Sequence, residues 1–169
     1  MEIHYTFIGV IHSPFTMQRD TPIQSVYSSA EGTIEVFPEY ADGLQELEGF
    51  SHLILLYHFH HEGPMRLRIA PYLDHETERG IFSTRHHDRP NRIGLSIVEL
   101  LSISGTTISV RGIDVLDGTP LLDIKPYVFH FDHRENVRSG WIDRADRERQ
   151  VPFTPEQLTR KHPPGKDSG

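Results

Sequence analysis

The apolar positions of this chain follow the two-residue period of β-strands along most of its length. Alternating or near-continuous runs of apolar, β-branched and aromatic residues, interrupted by Gly and Pro, are typical of short strands. The pattern predicts strands over residues 5–11, 32–37, 51–59, 81–82, 95–101, 107–110 and 120–127. Of these, the run 51–59 is nearly all apolar, as expected for a strand covered on both faces. Six to eight short strands with few helices indicate a closed or nearly closed antiparallel barrel.

Turn and helix signals complete this picture. The Ser104-Gly105 pair predicts a tight turn that makes a hairpin of the strands on either side. Residues 42–49 predict two helical turns, with Asp42 as N-cap and Gly49 as the stop. A second helix start is predicted at residues 154–157, where Pro155 occupies the first helical position.

The chain reads as one domain. No internal repeat or linker divides it, and 169 residues suit a single hydrophobic core. We therefore predict an all-β fold with one or two short helices, with the barrel domain spanning residues 1–150. Residues 151–169 end in a Pro-, Gly- and charge-rich stretch, which predicts a partly disordered tail.

Composition excludes several classes of protein. The chain contains no cysteine, which rules out disulfides, thiolate metal sites and cysteine nucleophiles. No apolar run approaches the roughly 20 residues that span a bilayer, and the N-terminus lacks the pattern of a secretory signal. A cytoplasmic protein without a membrane partner is the resulting expectation.

Charge is distributed unevenly along the chain. The formal net charge is −7, and residues 1–50 carry all of it, with eight carboxylates against Arg19 alone. Six of the 14 Arg residues fall within residues 66–92. The planar guanidinium of Arg binds phosphate and carboxylate at two points, so this stretch is a candidate anion-binding region. A solvated surface of mixed charge explains the same composition, and net charge alone therefore leaves nucleic-acid binding open.

Two segments are richer in Gly, Pro and polar residues than plain strand turns require. In residues 84–96, Pro90 fixes φ and Gly94 permits a close backbone approach, while Arg and Asn side chains supply donors. This combination fits a rigid loop that binds an anionic or carboxylate-bearing ligand. A polar hairpin with surface Arg is the alternative interpretation.

The second segment, residues 112–127, places three Asp residues among apolar neighbours. Asp123 and Lys125 are two apart on a predicted strand, so they share a face and can pair. Carboxylates in such surroundings are candidates for binding ribose hydroxyls or a cation. Capping of turns and backbone N–H groups is the alternative role.

Six short motifs stand in an order that resembles the TsaA-like family. They occupy residues 9–14, 22–24, 49–52, 80–85, 89–94 and 117–127, and the resemblance runs from about Ile8 to Trp141. The characterised members of this family are TrmO-type tRNA methyltransferases. They add a methyl group to N6 of threonylcarbamoyl-adenosine beside the anticodon.

The resemblance implies a single-sheet antiparallel β-barrel that acts as a homodimer and binds S-adenosylmethionine near the subunit interface. Carried over by position, it implies a cofactor site built from Ile23, Gln24, Ser25, His61, Glu62, Arg85, Leu95, Arg111, Gly112, Ile113 and Asp114. Carboxylates there can accept from ribose or amino groups, and Arg can bind the methionyl carboxylate. The backbone at positions 112 and 113 is expected to meet the adenine edge.

The tRNA substrate requires further residues. The anticodon loop is expected to contact Arg89, Asn91, Arg92 and Lys125, with Arg side chains on phosphates. A base that accepts the N6 proton is sought among Asp114, Asp117 and Tyr127.

Two alternatives stay open. One is a regulatory protein that holds S-adenosylmethionine without transferring its methyl group. The other is a metal enzyme of cupin type, in which His58, His60 and Glu62 share a strand face and converge on an ion. The usual cupin pattern places its Glu several residues further on, beyond a turn, and we therefore predict no metal.

Overall fold

The computed structural model describes residues 2–60 and 63–148, which form eight strands and two short α-helices. The strands are β1 Gly9–His12, β2 Glu31–Val36, β3 His52–His58, β4 Arg68–Ile69, β5 Arg79–Gly80, β6 Ile93–Ser104, β7 Thr107–Arg111 and β8 Thr119–Pro126. The helices are α1 Phe129–Asp132 and α2 Trp141–Glu148. Within the described ranges, neither helix has the length and apolar character needed to cross a membrane.

Six of the strands close into one antiparallel barrel in the order β1-β2-β7-β6-β3-β8, and β8 pairs back onto β1. Every pair in the ring is antiparallel. The remaining strands, β4 and β5, form a separate two-stranded sheet in the connection between β3 and β6. The prediction of an all-β, single-sheet antiparallel barrel is therefore confirmed.

The barrel is filled by every second side chain of its strands. The interior contains the fully buried Ile11, Ile34, Leu53, Leu55, Val98, Ile108, Val110 and Leu121. Because successive side chains of a strand point to opposite faces, this apolar set defines the inner face of every strand. The polar residues between them, such as Glu35 and Ser109, face outward.

A β-bulge changes the alternation of β8. Leu121 pairs with Tyr57 and Asp123 pairs with Leu56, so Leu122 has no partner of its own on β3. After the bulge, Asp123 and Lys125 face outward, where their side chains form an ion pair of 2.6 Å. The predicted pairing of these two residues is confirmed.

Two local predictions were wrong. Residues 81–82 do not form a strand but begin the 3-10 turn Ile81–Ser83, which buries Ile81. The segment 42–49 forms no α-helix. The 3-10 helices Pro38–Leu44 and Leu47–Gly49 occupy it instead, interrupted at Glu46, whose φ of 64° is left-handed.

The first strand begins at Gly9 rather than at residue 5, and α1 and α2 were not predicted. The predicted hairpin is confirmed, since β6 and β7 pair on either side of the turn at Gly105. The predicted helix start at residues 154–157 and the tail 151–169 lie outside the described residues.

The order of strands gives the barrel two different ends. At one end lie the connections 13–30, 59–92 and 112–118. At the other end lie the β6–β7 hairpin turn and the connection 37–51. Most of the residues singled out in the sequence fall in or beside the first three connections, and we call this the loop end.

One close contact in the interior depends on glycine. An ideal Cβ at Gly94 would lie 2.1 Å from the ring of Tyr57, its partner on β3. Real Cβ atoms do not approach so closely, and both ring and backbone are held by the barrel. Gly94 therefore makes the room that the Tyr57 ring occupies.

We expect Gly94→Ala to destabilise the fold by about 1–3 kcal/mol, because the added methyl overpacks the barrel. The matched control is Gly80→Ala, where an added Cβ meets nothing within 4 Å and the change should stay within about 0.5 kcal/mol. Urea denaturation of both variants measures the difference. Equal stability of the two variants would contradict the contact.

Candidate functional site

Two connections at the loop end are bonded to each other by backbone and hydroxyl groups. The N–H groups of Gly112 and Ile113 donate to the Ala30 carbonyl at 2.9 and 3.3 Å, and the Ser28 hydroxyl donates to the Ile113 carbonyl at 2.5 Å. Gly112 has φ of 92°, a conformation that favours glycine. The segments 23–30 and 111–114 are thus brought together. Of the backbone groups expected to meet adenine, both N–H groups are already bonded to Ala30, and the Ile113 carbonyl accepts from Ser28.

The third connection joins this cluster through Arg85. Its Nη1 donates to Gln24 Oε1 at 2.7 Å, while Gln24 Nε2 donates to the Ile23 carbonyl at 2.7 Å. Both ends of the Gln24 amide are therefore bonded, and the guanidinium of the exposed Arg85 is held at the barrel rim.

Asp114 lies at the same rim and reaches into the barrel. Ser96 Oγ donates to Asp114 Oδ1 at 2.5 Å and lies 3.0 Å from the Tyr57 hydroxyl. Burial and then the nearby charge of Asp114 raise the pKa of Tyr57, against the smaller opposing effects of the Ser96 hydrogen bond and Arg85. The Tyr57 phenol is consequently a proton donor at any ordinary pH.

Arg111 is engaged by other partners. It closes β7 on the outer face, where its guanidinium binds Glu31 at 2.9 Å and Glu99 at 3.0 Å. The hydrogen bond from Arg111 to Glu31 and the charge of Glu99 raise the pKa of Arg111. Arg85 is the other predicted Arg of this site, and its one contact described above is with a neutral amide.

Leu95 faces away from Asp114. It lies between Gly94 and Ser96 on β6, so its side chain points to the outside of the barrel, where it is 42 % exposed. The structure thus brings Gln24, Ser25, Arg85, Gly112, Ile113 and Asp114 together and leaves Leu95 on the outer wall. The predicted His61 and Glu62 lie outside the described residues.

Two of the residues predicted for the substrate and the base are at the opposite end of the barrel. Tyr127 follows β8, where its N–H donates to the His52 carbonyl and its ring contacts the His52 ring. Lys125 is at the same end, paired with Asp123. Asp117 is at the loop end, where its carboxylate accepts from the Ser13 N–H at 3.1 Å.

The two Arg residues of the loop 89–92 donate hydrogen bonds to backbone carbonyls elsewhere in the connection 59–92. Arg89 Nη1 donates to the carbonyls of Thr84 at 2.7 Å and Ile81 at 3.3 Å, and Arg92 donates to the Gly63 carbonyl. Arg92 itself has φ of 50°. Loss of either guanidinium therefore disturbs the loop in addition to any effect on a bound phosphate.

A surface pocket of about 250 Å³ lies beside this loop. It is lined by Phe82, Arg89, Pro90, Asn91, Arg92 and Ile93. The Phe82 ring is 76 % exposed, and the Arg89 guanidinium lies 5.9 Å from its centre. An exposed aromatic ring beside a cation can stack on a planar ligand.

Metal-binding candidates in the described part of the chain are limited to one set of three adjacent side chains. The ligating atoms of His86, His87 and Asp88 lie within 4.8 Å of one another. The buried Asp88 carboxylate faces His87 Nε2 at 3.3 Å and the Arg66 guanidinium at 3.5 Å. These contacts pair the Asp88 charge within the protein.

The His residues proposed for a cupin-type site are arranged differently. Strand β3 ends at His58, so His60 does not continue its face, and His60 Nδ1 lies 3.4 Å from the Thr119 hydroxyl. The third ligand of that proposal, Glu62, lies outside the described residues.

A cation–aromatic contact holds the C-terminal helix to the loop end. The Arg79 guanidinium lies 4.6 Å from the centre of the Trp141 ring, and Trp141 Nε1 donates to the Ser83 carbonyl at 2.7 Å. Asp74 accepts a hydrogen bond from Arg79. Burial opposes ionisation of Asp74, but the hydrogen bonds and charge of Arg79 outweigh it and lower the pKa of Asp74.

Sequence reasoning missed Tyr57, Ser96 and Phe82. The first two lie on strands whose inner faces read as apolar, and the available signal was Ser96 at a position that alternation assigns to the core. Phe82 was assigned to a strand, although its place within the motif 80–85 was noted. Its exposure follows from the 3-10 turn, which buries Ile81 and turns Phe82 outward.

The fold and this cluster define a class of protein, namely closed β-barrels whose loops bring polar side chains together at one end. Within that class, the chain belongs to the TrmO family: the family model described as the tRNA-methyltransferase O N-terminal domain matches residues 10–133. This match confirms the resemblance found in the sequence motifs.

Individual relatives agree with this assignment. A probable S-adenosyl-L-methionine-binding protein of Pyrococcus abyssi is 53 % identical over 143 residues, covering 84 % of this chain and 77 % of that protein. The human tRNA (adenine(37)-N6)-methyltransferase is 35 % identical over 143 residues, covering 80 % of this chain and 32 % of the human enzyme. The chain therefore aligns with about a third of the human enzyme.

The solved structures give the same result. The crystal structure of TrmO from Pseudomonas aeruginosa superposes with a TM-score of 0.75 at 31 % identity, covering 99 % of this chain and 85 % of that one.

The lowered pKa of Asp74 predicts a pH-dependent anchor for α2. A carboxylate whose pKa is lowered on folding adds stability above its ordinary value of 3.8, and this stability disappears as the pH falls through its folded value. We expect Asp74→Asn to cost about 1 kcal/mol at pH 7 and progressively less below pH 4. Urea denaturation across this pH range measures the difference.

The control is Glu78→Gln, which removes an exposed ion pair with Arg68 and should change stability by less than about 0.5 kcal/mol. A cost of Asp74→Asn that stays the same at pH 7 and at pH 2 would contradict the ionised pair.

Proposed function

We propose that this protein is an S-adenosylmethionine-dependent methyltransferase that methylates N6 of threonylcarbamoyl-adenosine next to the anticodon of tRNA. The observation that carries the proposal is the convergence of Gln24, Arg85 and Asp114 at one barrel end in a TrmO-family chain. The names of the Pyrococcus and human relatives support the cofactor and the tRNA substrate respectively.

The charges at the loop end suit the proposed cofactor. S-adenosylmethionine carries a carboxylate, an ammonium, a sulfonium and ribose hydroxyls, and it would supply the methyl group. Arg85 offers a cation at the rim, and Asp114 offers a carboxylate that Ser96 already orients. The guanidinium is the proposed partner of the methionyl carboxylate, and Asp114 is the proposed acceptor for an amino or hydroxyl donor.

Positioning is the main requirement of the reaction. Transfer requires the acceptor nitrogen to lie in line with the methyl group and the sulfonium, so a rigid loop end reduces the entropic cost. The hydrogen bonds between segments 23–30 and 111–114 supply that rigidity. Of the base candidates, Asp114 lies in the cluster with Arg85, whereas Tyr127 lies at the opposite end of the barrel. Asp117 is also at the loop end, but its carboxylate contacts Ser13 and His12 rather than this cluster. Asp114 is therefore the proposed base.

The RNA is proposed to approach along the loop 89–92. Its guanidinium groups brace the loop, while the Asn91 side chain and the Phe82 ring are exposed beside the pocket. Aromatic stacking and amide hydrogen bonds are the usual means by which proteins bind unpaired bases. Lys125, at the far end, would contact RNA only if the substrate extends along the barrel wall.

The apolar outer wall of the barrel is the observation that supports the proposal of a homodimer. Ile93, Leu95 and Ile97 are 38–42 % exposed along β6, and Ile54 and Leu56 lie beside them on β3. The sequence predicts that β3 is covered on both faces. Among the described residues its inner face is buried, whereas Ile54 and Leu56 on its outer face are only partly buried. A second copy is the proposed cover, and it would place its own Leu95 at the subunit interface near the cofactor.

The tRNA assignment predicts a specific pattern of label. Incubated with methyl-labelled S-adenosylmethionine, the protein should label total tRNA from cells that make the threonylcarbamoyl modification and should not label tRNA from cells that lack it. Arg85→Ala should reduce transfer at least tenfold, because it removes a charge-assisted contact to the cofactor. The matched control is Arg144→Ala, an exposed Arg of α2. Bound cofactor without transfer to any RNA would favour the regulatory alternative.

The dimer assignment predicts dissociation by charge. Ile97→Glu places a carboxylate in the centre of the outer apolar wall and should convert the protein to monomers in analytical ultracentrifugation. Ile3→Glu changes an exposed Ile outside that wall and should leave the assembly unchanged. A wild-type protein that sediments as a monomer at micromolar concentration would sink the dimer proposal.

A further inference from the structure

A buried polar chain joins the barrel interior to the loop end. Tyr57 is 4 % exposed and Ser96 is 1 % exposed, and both lie among the aliphatic side chains of the core. Their hydroxyl groups contact each other at 3.0 Å, and Ser96 contacts Asp114 at 2.5 Å. Buried hydroxyl groups carry a desolvation cost that only their mutual hydrogen bonds offset.

The direction of the two hydrogen bonds follows from proton counting. Asp114, as a carboxylate, can only accept, so the single proton of the Ser96 hydroxyl is donated to it. Ser96 Oγ must then accept from the Tyr57 hydroxyl. Burial, followed by the charge of Asp114, raises the pKa of Tyr57, which keeps that proton in place. Both donors therefore point toward the carboxylate at the rim.

Neighbouring residues on β3 and β6 provide the space for these hydrogen-bonded groups. Gly94 and Ser96 are two apart on the inner face of β6, and Tyr57 pairs with Gly94 on β3. The absent side chain at position 94 leaves the space for the phenol ring, and the small side chain at position 96 meets the phenol oxygen. The residues that end the segment 84–96 thus line the interior of the barrel.

Packing alone does not require these hydroxyl groups. Phe at position 57 and Ala at position 96 would fill nearly the same space without any buried polar atom, at little cost in stability. Of these three residues, Asp114 is the one that reaches the loop end, where it is half-buried and accepts from Ser96. The polar chain therefore acts on the orientation of that carboxylate.

We propose that Ser96 and Tyr57 are positioning residues that hold the Asp114 carboxylate in the orientation that accepts a hydrogen bond from S-adenosylmethionine. The inference rests on the proposed role of Asp114 in the cofactor site. It adds two interior residues that do not themselves touch the cofactor.

A double-mutant cycle tests the coupling of Ser96 and Tyr57 to Asp114. Calorimetry measures the affinity of the intact protein for S-adenosylmethionine in Asp114→Ala, Ser96→Ala and Tyr57→Phe, and in each of the latter two combined with Asp114→Ala. We expect Ser96→Ala to weaken binding about tenfold and Tyr57→Phe a few fold, because each removes order from a charge-assisted acceptor. In the Asp114→Ala background, both effects should fall below about twofold.

The control is Tyr40→Phe, which removes a phenol hydroxyl in the connection 37–51 at the opposite end and should leave affinity unchanged. Equal effects of Ser96→Ala with and without the Asp114 carboxylate overturn the inference, since Ser96 would then act on the barrel as a whole. An unchanged affinity in Asp114→Ala overturns it together with the proposed role of Asp114. If Ser96→Ala does not fold, the isosteric Tyr57→Phe completes the same cycle.

Discussion

The pairing of β8 with β1 is the constraint on which the rest of this structure depends. It closes the sheet, so that each barrel strand has two neighbours and all inner faces share one apolar interior. Closure also assigns each connection to one of two ends. Because the segments 13–30, 59–92 and 112–118 leave the barrel at the same end, residues far apart in the chain meet there. The candidate site is a consequence of strand order.

Much of this fold could be predicted because alternation reports directly which face of a strand is buried. The hairpin turn at Gly105 and the barrel strands β2, β3, β6, β7 and β8 were located to within a few residues. Alternation could not reveal the bulge at Leu122, since an unpaired residue changes the pattern only through its partner strand. The 3-10 helices were also missed. Pro38 lacks a backbone N–H and Glu46 has a left-handed φ, so this stretch does not form the α-helical hydrogen bonds that an amphipathic pattern implies.

The residues of the site were predicted from ordered motifs. Those motifs do not show which hydrogen-bond or ion-pair partner each polar side chain has. The sequence motifs predict the same cofactor-binding role for Arg111 and Arg85. In the structure Arg111 binds two carboxylates, whereas Arg85 binds a neutral amide. Arg89 and Arg92 read as phosphate ligands, yet both brace their own loop. Such choices depend on register and on distances across the barrel, which a single sequence does not encode locally.

The bulge at Leu122 has a consequence for how the length of this chain can change. Leu121 and Ile124 both face the interior, and Asp123 faces outward, although simple alternation would place Leu121 and Asp123 on the same face. Removing the extra residue would leave Leu121, Asp123 and Ile124 with their present orientations. β8 can therefore absorb a one-residue deletion at this position without exchanging its inner and outer faces, a tolerance that the bulge-free strand β3 lacks at its centre.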